Sequence, residues 1–289
     1  MEFNSYWYVG LGILSTLLLI YVYQKTKDPR SLLLFLTMVG LGYIIETVIY
    51  NFGHSYQYYP KLIKHDSFYD SNMGAIASNA LALPAAATFI ATFRKNWLWI
   101  LYFVSFFAGI EWLFLKLEIY KHNWWKIGYT TLGLLLVYFP LAKVCYRLFF
   151  QPLQGKLHSI FLYLIISPVS ATLQFIPVMF FSSRYYELGL FDTHSKDTTA
   201  FGAIYYLSVC LFYVWIVKQQ WKLKWFKYVV TVCLTYVINL ILKKAEVLHS
   251  QVWWDLAYYV LLSVFVLKFS LIISKHLTSG QKKMPDPGD

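Results

Sequence analysis

Two glutamates inside long apolar runs, Glu46 and Glu111, are the residues of this sequence best suited to chemistry. Glu46 is predicted about one turn below the outer end of its span and Glu111 near the middle of the bilayer, where a carboxylate costs about 2.5 to 3.5 kcal/mol unless it faces a cavity or a partner or is protonated. Glu118 follows Glu111 by seven residues, which places it on nearly the same helix face. We therefore expect these three acids to line one acidic groove that opens to the outer face of the membrane.

The two intramembrane acids have neutral counterparts later in the chain. Counting forward 128 residues takes Glu46 to Gln174 and Glu111 to Asn239. Each change keeps hydrogen-bonding capacity and removes the charge. Gln174 and Asn239 are therefore predicted to add polar contacts to the ligand site. The competing interpretation is structural, with the same acids and amides forming a hydrogen-bonded set between helices.

Aromatic residues cluster at the ends of the apolar runs. Amphipathic rings favour the headgroup layer, so an aromatic belt is the simplest interpretation. Ring faces beside a carboxylate also attract cations. On that basis Tyr59 and Trp124, both near the predicted outer face, are assigned to the ligand site.

Metal and cofactor chemistry has less support. Glu118 with His122, and Glu246 with His249, are spaced to meet on one helix face, but no His-Glu-x-x-His motif or histidine cluster accompanies them. The sequence has no glycine-rich phosphate loop, no Gly-x-Ser-x-Gly elbow and no paired aspartate motif for magnesium-bound diphosphates. We therefore predict no metal and no cofactor.

The composition of the chain indicates that these residues lie in a lipid environment. Of 289 residues, 58% are hydrophobic and 13% are charged, a balance typical of proteins whose surface faces lipid. The net charge of +11 lies in short loops beside apolar runs, where the positive-inside rule explains it, and it does not predict nucleic-acid binding. Cys145, Cys210 and Cys233 are scattered and predict neither a disulfide nor a zinc site.

Nine apolar runs are long enough to cross a bilayer as helices of about 1.5 Å rise per residue. The predicted fold is therefore an all-α polytopic membrane protein. Its predicted spans are 7–23, 31–51, 73–93, 97–120, 124–146, 158–181, 200–218, 228–248 and 253–274.

Lysine and arginine concentrate in every second connection between these spans. Lys25 and Arg30 follow the first span, and Arg94 and Lys95 follow the third. The positive-inside rule places these connections in the cytoplasm. The N-terminus is therefore predicted outside and the C-terminus inside a cell membrane, with residues 276–289 as a disordered cytoplasmic tail.

The chain also repeats itself, because residues 31–147 align with residues 158–275 at a spacing of 128. Gly74 recurs as Gly202, for example. Four spans in each copy make a parallel repeat, whose junction is a common place for a substrate path. The predicted organisation is an N-terminal helix with a basic loop (1–30), a first four-helix repeat (31–156), a second four-helix repeat (157–275) and the tail (276–289).

One ordered set of residues runs through the first half: Glu46 late in a span, Tyr59-Pro60 in an outer loop, Glu111 or Glu118 at the end of a span, and then Trp124-Trp125. This pattern resembles a family of short multi-pass membrane proteins from Gram-positive bacteria whose function is uncharacterised. The resemblance covers residues 31–147 well and the second copy more loosely. It implies the topology and a bacterial plasma membrane.

Three functions are consistent with these residues. In the first, a cationic, amphipathic or lipidic ligand binds in the acidic, aromatic groove during transport or lipid handling. In the second, a membrane-embedded enzyme of the cyclase kind uses a buried Glu as general acid on a lipid or isoprenoid. In the third, a non-catalytic sensor or assembly factor docks through its outer loops. The predicted partners are the lipid bilayer and such a small ligand, and the sequence allows an oligomer.

Overall fold

The computed structural model describes residues 2–279, which are mostly helical. Nine helices within those residues are long and apolar enough to cross a membrane, which confirms the all-α, multi-pass architecture. They are α1 (Phe3–Thr26), α2 (Pro29–Phe52), α3 (Ser67–Thr92), α4 (Trp97–Lys116), α5 (Ile127–Leu148), α6 (Gly155–Phe181), α7 (His194–Lys218), α8 (Phe226–Lys244) and α9 (Asp255–Thr278).

Two helices begin six residues earlier than predicted, α3 at residue 67 and α7 at residue 194. The first turn of each helix is polar, so a search for apolar runs does not include it. In α3 the Asp66 carboxylate caps the helix, because it accepts hydrogen bonds from the N–H groups of Phe68 and Tyr69. Local capping therefore sets this boundary, and hydropathy does not report it.

Two other helices end four residues earlier than predicted, α4 at Lys116 and α8 at Lys244. Glu118 and Glu246 follow these ends with a backbone φ of 56° each. A left-handed residue stops a helix and turns the chain away from its axis. In both places the chain then enters a short strand.

Within residues 2–279, four three-residue strands are additional to the predicted helices. β1 (Tyr56–Tyr58) pairs antiparallel with β2 (Tyr120–His122), and β3 (Arg184–Tyr186) pairs antiparallel with β4 (Leu248–Ser250). In the first pair Tyr56 lies opposite His122, and in the second Arg184 lies opposite Ser250. Each pair joins two connections at the same end of its helices.

The described residues form two compact units, 2–153 and 154–279. The helix α1, which was predicted to stand outside the two repeats, belongs to the first unit. Its Tyr8 hydroxyl donates to the Ile119 carbonyl at 2.6 Å, and Ser5 Oγ donates to the Pro60 carbonyl at 2.9 Å. Of the predicted tail, residues 276–278 continue α9, and residues 280–289 lie outside the described residues.

A buried aspartate holds the loop beside the strands in each unit. Asp70 in α3 accepts hydrogen bonds from three successive backbone N–H groups, at residues 61–63. Asp197 in α7 accepts four, from residues 188–191. Hydrogen bonds to an ionised carboxylate are among the strong ones. These contacts therefore keep each strand pair in place over its helices.

Candidate ligand-binding site

A cavity of about 310 Å³ lies within the first unit, between helices α1 to α5 and the β1–β2 pair. Glu46 and Glu111 both line it, and no lysine or arginine is among the described residues that do. An apolar wall with a few convergent polar groups is typical of small-molecule sites. Nine lining residues are aromatic: Tyr8, Tyr56, Tyr58, Phe107, Phe114, Tyr120, Trp125, Tyr129 and Tyr138.

The Glu46 carboxylate is held on one side only. The residue is 8% exposed, and its Oε2 atom accepts hydrogen bonds from the Tyr56 hydroxyl at 2.6 Å and from Asn79 Nδ2 at 2.8 Å. No donor among the described residues reaches its Oε1 atom. The carboxylate is therefore oriented by the protein and still has capacity to accept hydrogen bonds.

A close approach of α2 and α3 brings Asn79 to this carboxylate. Gly42 lies one turn before Glu46 on the same face of α2. A Cβ atom at Gly42 would lie 2.9 Å from the Asn79 carbonyl oxygen, which is closer than a side chain tolerates. Glycine therefore allows the two backbones to meet, as small residues do between membrane helices.

The second cavity acid, Glu111, is paired with a histidine from β2. Its side chain is 10% exposed, and its Oε1 atom lies 2.8 Å from His122 Nε2. Its Oε2 atom has no donor among the described residues. Because α4 ends at Lys116, Glu111 lies about 8 Å from the helix end at 1.5 Å per residue, nearer the interface than predicted.

Three of the helices around the cavity contain a π-helical segment. The segments are Thr47–Phe52 in α2, Ile76–Ala82 in α3 and Leu134–Tyr138 in α5. A π turn widens the helix and changes which side chains face inward, and such turns are frequent at functional sites. Each segment contributes residues to the lining, Asn79 among them. The described part of the second unit contains no such segment.

The strand pair contributes a stack of tyrosines. The Tyr58 and Tyr120 ring centroids lie 4.8 Å apart, and those of Tyr56 and Tyr120 lie 5.5 Å apart. Burial raises the pKa of all three phenols well above the usual range, and the charge of Glu46 adds to this effect. The hydroxyl groups therefore stay neutral, and that of Tyr56 remains a hydrogen-bond donor at physiological pH.

The second unit, by contrast, satisfies its buried charges internally. Arg184, only 2% exposed, donates from Nε and Nη2 to the two carboxylate oxygens of Asp255, each at 2.8 Å. Its Nη1 donates to the Tyr186 hydroxyl at 3.0 Å, and the guanidinium carbon lies 3.3 Å from the centre of the Tyr259 ring. Ser250 adds a hydrogen bond to Asp255 at 2.6 Å. This cluster is closed and neutral.

Among the predicted acids, the structure brings Glu46 and Glu111 to one cavity and leaves Glu118 out of it. The expectation that Glu118 continues the row along α4 is wrong, because the helix ends at Lys116 and Glu118 is exposed in the following turn. The His122 side chain pairs with Glu111 and not with Glu118, since β2 turns it back toward the cavity.

Each aromatic residue predicted for the ligand site is next in sequence to the residue that lines the cavity. Tyr59 and Trp124 do not line the cavity, whereas their neighbours Tyr58 and Trp125 do. Trp124 is exposed and donates from Nε1 to the Gly53 carbonyl at 2.6 Å. Alternation along a strand explains the tyrosines, because residues 56 and 58 share one face. The Tyr-x-Tyr spacing was the signal that the sequence interpretation missed.

The two neutral counterparts lie in the second unit and do not line the cavity. Gln174 Nε2 donates to Ser170 Oγ at 2.9 Å, and Asn239 Nδ2 donates to the Thr235 carbonyl at 2.8 Å. Both amides therefore bond to their own helices. The amide that lines the cavity is that of Asn79. The sequence did carry a sign of this role, because a single amide in an apolar span usually pairs with another polar group.

Within residues 2–279, no group of three or more His, Cys, Asp or Glu side chains is arranged to hold a metal ion. The Glu246–His249 spacing leads to a contact of His249 Nε2 with the Glu246 backbone carbonyl at 2.8 Å. The same nitrogen lies 3.6 Å from the Glu187 carboxylate.

Comparison with protein-family models, curated protein sequences and solved structures finds no match to this chain.

Proposed function

We propose that this membrane protein binds an organic cation with an apolar substituent in the cavity of the first unit, and that binding serves transport or lipid handling. The observation that supports this proposal is the composition of the cavity wall. Among the described residues it has two carboxylates, nine aromatic residues and no lysine or arginine. The carboxylates and the ring faces attract the charge. The remaining apolar wall suits the substituent.

A positive charge on the ligand would also offset the free-energy cost of placing two acids inside membrane spans. Glu46 and Glu111 lie in membrane spans, where a charged side chain costs free energy unless it is paired or faces a polar cavity. His122, even when protonated, neutralises at most one of them. A bound cation would offset the remaining negative charge.

We further propose that the two units are copies of one four-helix ancestor. Equivalent contacts support this: Tyr58 N donates to Ser71 Oγ at 3.0 Å, and Tyr186 N donates to Thr198 Oγ1 at 2.9 Å. The aspartate that anchors the neighbouring loop also recurs in each unit. On this proposal one scaffold serves two purposes, a ligand cavity in the first copy and a closed ion pair in the second.

The cavity is proposed to face the outside of a cell membrane. Arg94 and Lys95 follow α3, and Arg147 lies in the last turn of α5, at the helix ends away from the β1–β2 pair. The positive-inside rule assigns those ends to the cytoplasm. The strand pair and the cavity beneath it then lie toward the outer face, with the N-terminus outside.

The test is binding of 2-phenylethylamine to the protein in lipid nanodiscs, measured by calorimetry with empty nanodiscs subtracted. A hydrogen bond to a charged group is worth about 1.5 to 3 kcal/mol, so Glu46→Gln and Glu111→Gln should each weaken binding about tenfold or more. Glu118→Gln removes the same charge outside the cavity and should bind like the wild type.

Absence of saturable binding by the wild type would sink the proposal. Equal affinities for the two cavity variants and Glu118→Gln would do the same.

A further inference from the structure

Each cavity carboxylate has one oxygen for which the described residues supply no hydrogen-bond donor. Oε1 of Glu46 and Oε2 of Glu111 are buried, and no donor among the described residues reaches either atom, although the other oxygen of each group is bonded. Buried polar groups in proteins are almost always hydrogen-bonded. An ionised carboxylate can only accept. An occupant that binds the two groups as ionised carboxylates would therefore have to bring the donors.

We infer that the charged head of the ligand is a cation that donates hydrogen bonds, either a guanidinium or a protonated amine, and that quaternary ammonium compounds are poor ligands. This inference rests on the proposed function and specifies its ligand class. Two acceptor oxygens on two helices call for at least two N–H groups. A guanidinium has several and a primary ammonium has three, while a quaternary ammonium has none. Ring faces alone attract all of these cations, so the donors make the difference.

The second unit shows how this scaffold holds such a head. Arg184 occupies the β3 position that corresponds to Tyr56 in β1, since each is the first residue of its strand and lies opposite the last residue of the paired strand. Its guanidinium donates to both oxygens of Asp255 and lies over the Tyr259 ring. Carboxylate and tyrosine ring together thus enclose a donor-bearing cation that is part of the chain.

The same comparison predicts the number of such sites among the described residues. In the second unit the attached guanidinium and its carboxylate satisfy each other, and both are almost fully buried. In the first unit the corresponding strand position carries a neutral tyrosine, and no arginine or lysine is among the described residues that line the cavity with the two acids. Among the described residues we therefore expect one such ligand site, in the first unit.

The experiment compares three cations that share one apolar group, namely 2-phenylethylguanidinium, 2-phenylethylammonium and 2-phenylethyl-trimethylammonium, on the wild-type protein in nanodiscs. Charge-assisted hydrogen bonds predict that both N–H donors bind at least about tenfold more tightly than the trimethylated compound. Glu118→Gln, whose carboxylate lies outside the cavity, should show the same order.

The outcomes separate the inference from the proposed function. If none of the three cations binds, the proposed function is wrong, and the inference falls with it. If the trimethylated compound binds within about tenfold of either donor, cation binding stands and the donor requirement is overturned. A stoichiometry of one ligand per chain supports the inference that Arg184 already occupies the corresponding place in the second unit. A stoichiometry of two overturns that inference.

Discussion

At the scale of single residues, the Glu46 carboxylate depends on partners from two other segments, Tyr56 in β1 and Asn79 in α3. Its charge was conspicuous in an apolar run, so the sequence identified the acid. The partners lie 10 and 33 residues away along the chain, and no local pattern joins them to it. The orientation of the acid is therefore a tertiary property.

The Tyr56 hydroxyl is expected to contribute measurably to stability. Tyr56→Phe removes the 2.6 Å bond to Glu46, and losing a bond to a charged acceptor costs about 1.5 to 3 kcal/mol. Tyr59→Phe removes a hydroxyl that bonds Gln57 at 3.2 Å outside the cavity, so it serves as the control. Thermal unfolding in detergent should rank Tyr56→Phe clearly below Tyr59→Phe. Equal midpoints would contradict the role of the cavity bond.

The buried phenols should make the protein sensitive to alkali. Burial holds the pKa of Tyr120 above its usual range, so the unfolded chain loses this proton near pH 10 while the folded chain retains it. Stability is therefore fully present below about pH 10 and falls as pH rises above it. Thermal unfolding from pH 9 to 11 should decline less steeply for Tyr120→Phe than for the wild type. Tyr59→Phe should decline as the wild type does, and identical slopes for all three would refute this explanation.

At the scale of helices and strands, the cavity wall depends on irregular geometry within regular elements. The three π segments turn side chains inward, and Gly42 lets α2 meet α3. Hydropathy reports whether a segment is long and apolar enough to span a bilayer, and it does so equally well for α and π turns. These features were consequently absent from the sequence interpretation, although the spans themselves were found.

Gly42→Ala should disturb both packing and binding. The new Cβ atom would lie 2.9 Å from the Asn79 carbonyl oxygen, so the helices must move apart, at a cost of about 1 to 3 kcal/mol. Asn79 would then move away from Glu46, and phenylethylamine should bind more weakly in calorimetry. Gly109→Ala in α4, where no atom lies within 4 Å of the new Cβ, should keep wild-type affinity. Loss of binding in both variants would point to a general effect of glycine replacement.

The buried ion pair of the second unit should be sensitive to loss of one partner. Asp255→Asn leaves the Arg184 guanidinium buried without its counter-charge, which costs about 3 to 5 kcal/mol. Replacing both residues, as Arg184→Met with Asp255→Leu, removes the charge and should restore most of the stability. Membrane abundance and thermal midpoints of the two variants test this. A double variant as unstable as Asp255→Asn would show that the pair itself is required.

At the scale of the whole molecule, two units with similar strand pairs and anchoring aspartates differ in their polar interiors. The first has an aromatic cavity with two acids, and the second has an arginine already bound to its carboxylate. An acid-lined cavity among candidate membrane spans fits the proposed function, in which a cation enters from one side and is passed on.

Transport should therefore be visible in proteoliposomes. Labelled 2-phenylethylguanidinium is expected to enter wild-type vesicles faster than protein-free vesicles, and Glu111→Gln should abolish most of the difference because it removes a cavity charge. Glu118→Gln should transport as the wild type does. If the cation binds but does not cross the membrane, transport is rejected and ligand binding stands. If added lipid is chemically converted, the result favours the alternative function of a membrane-embedded enzyme.

The sequence by itself determined the nine spans and the two acids of the cavity. Both follow from local properties, since a bilayer selects helices by length and composition, and a charge in an apolar run stands out against its neighbours. The tertiary structure decided which residues join those acids. It placed His122 beside Glu111, Trp125 rather than Trp124 in the wall, and Glu118 outside it. Each outcome depends on where a helix ends, how a strand turns back and which distant segments touch, and a hydropathy pattern carries no such information.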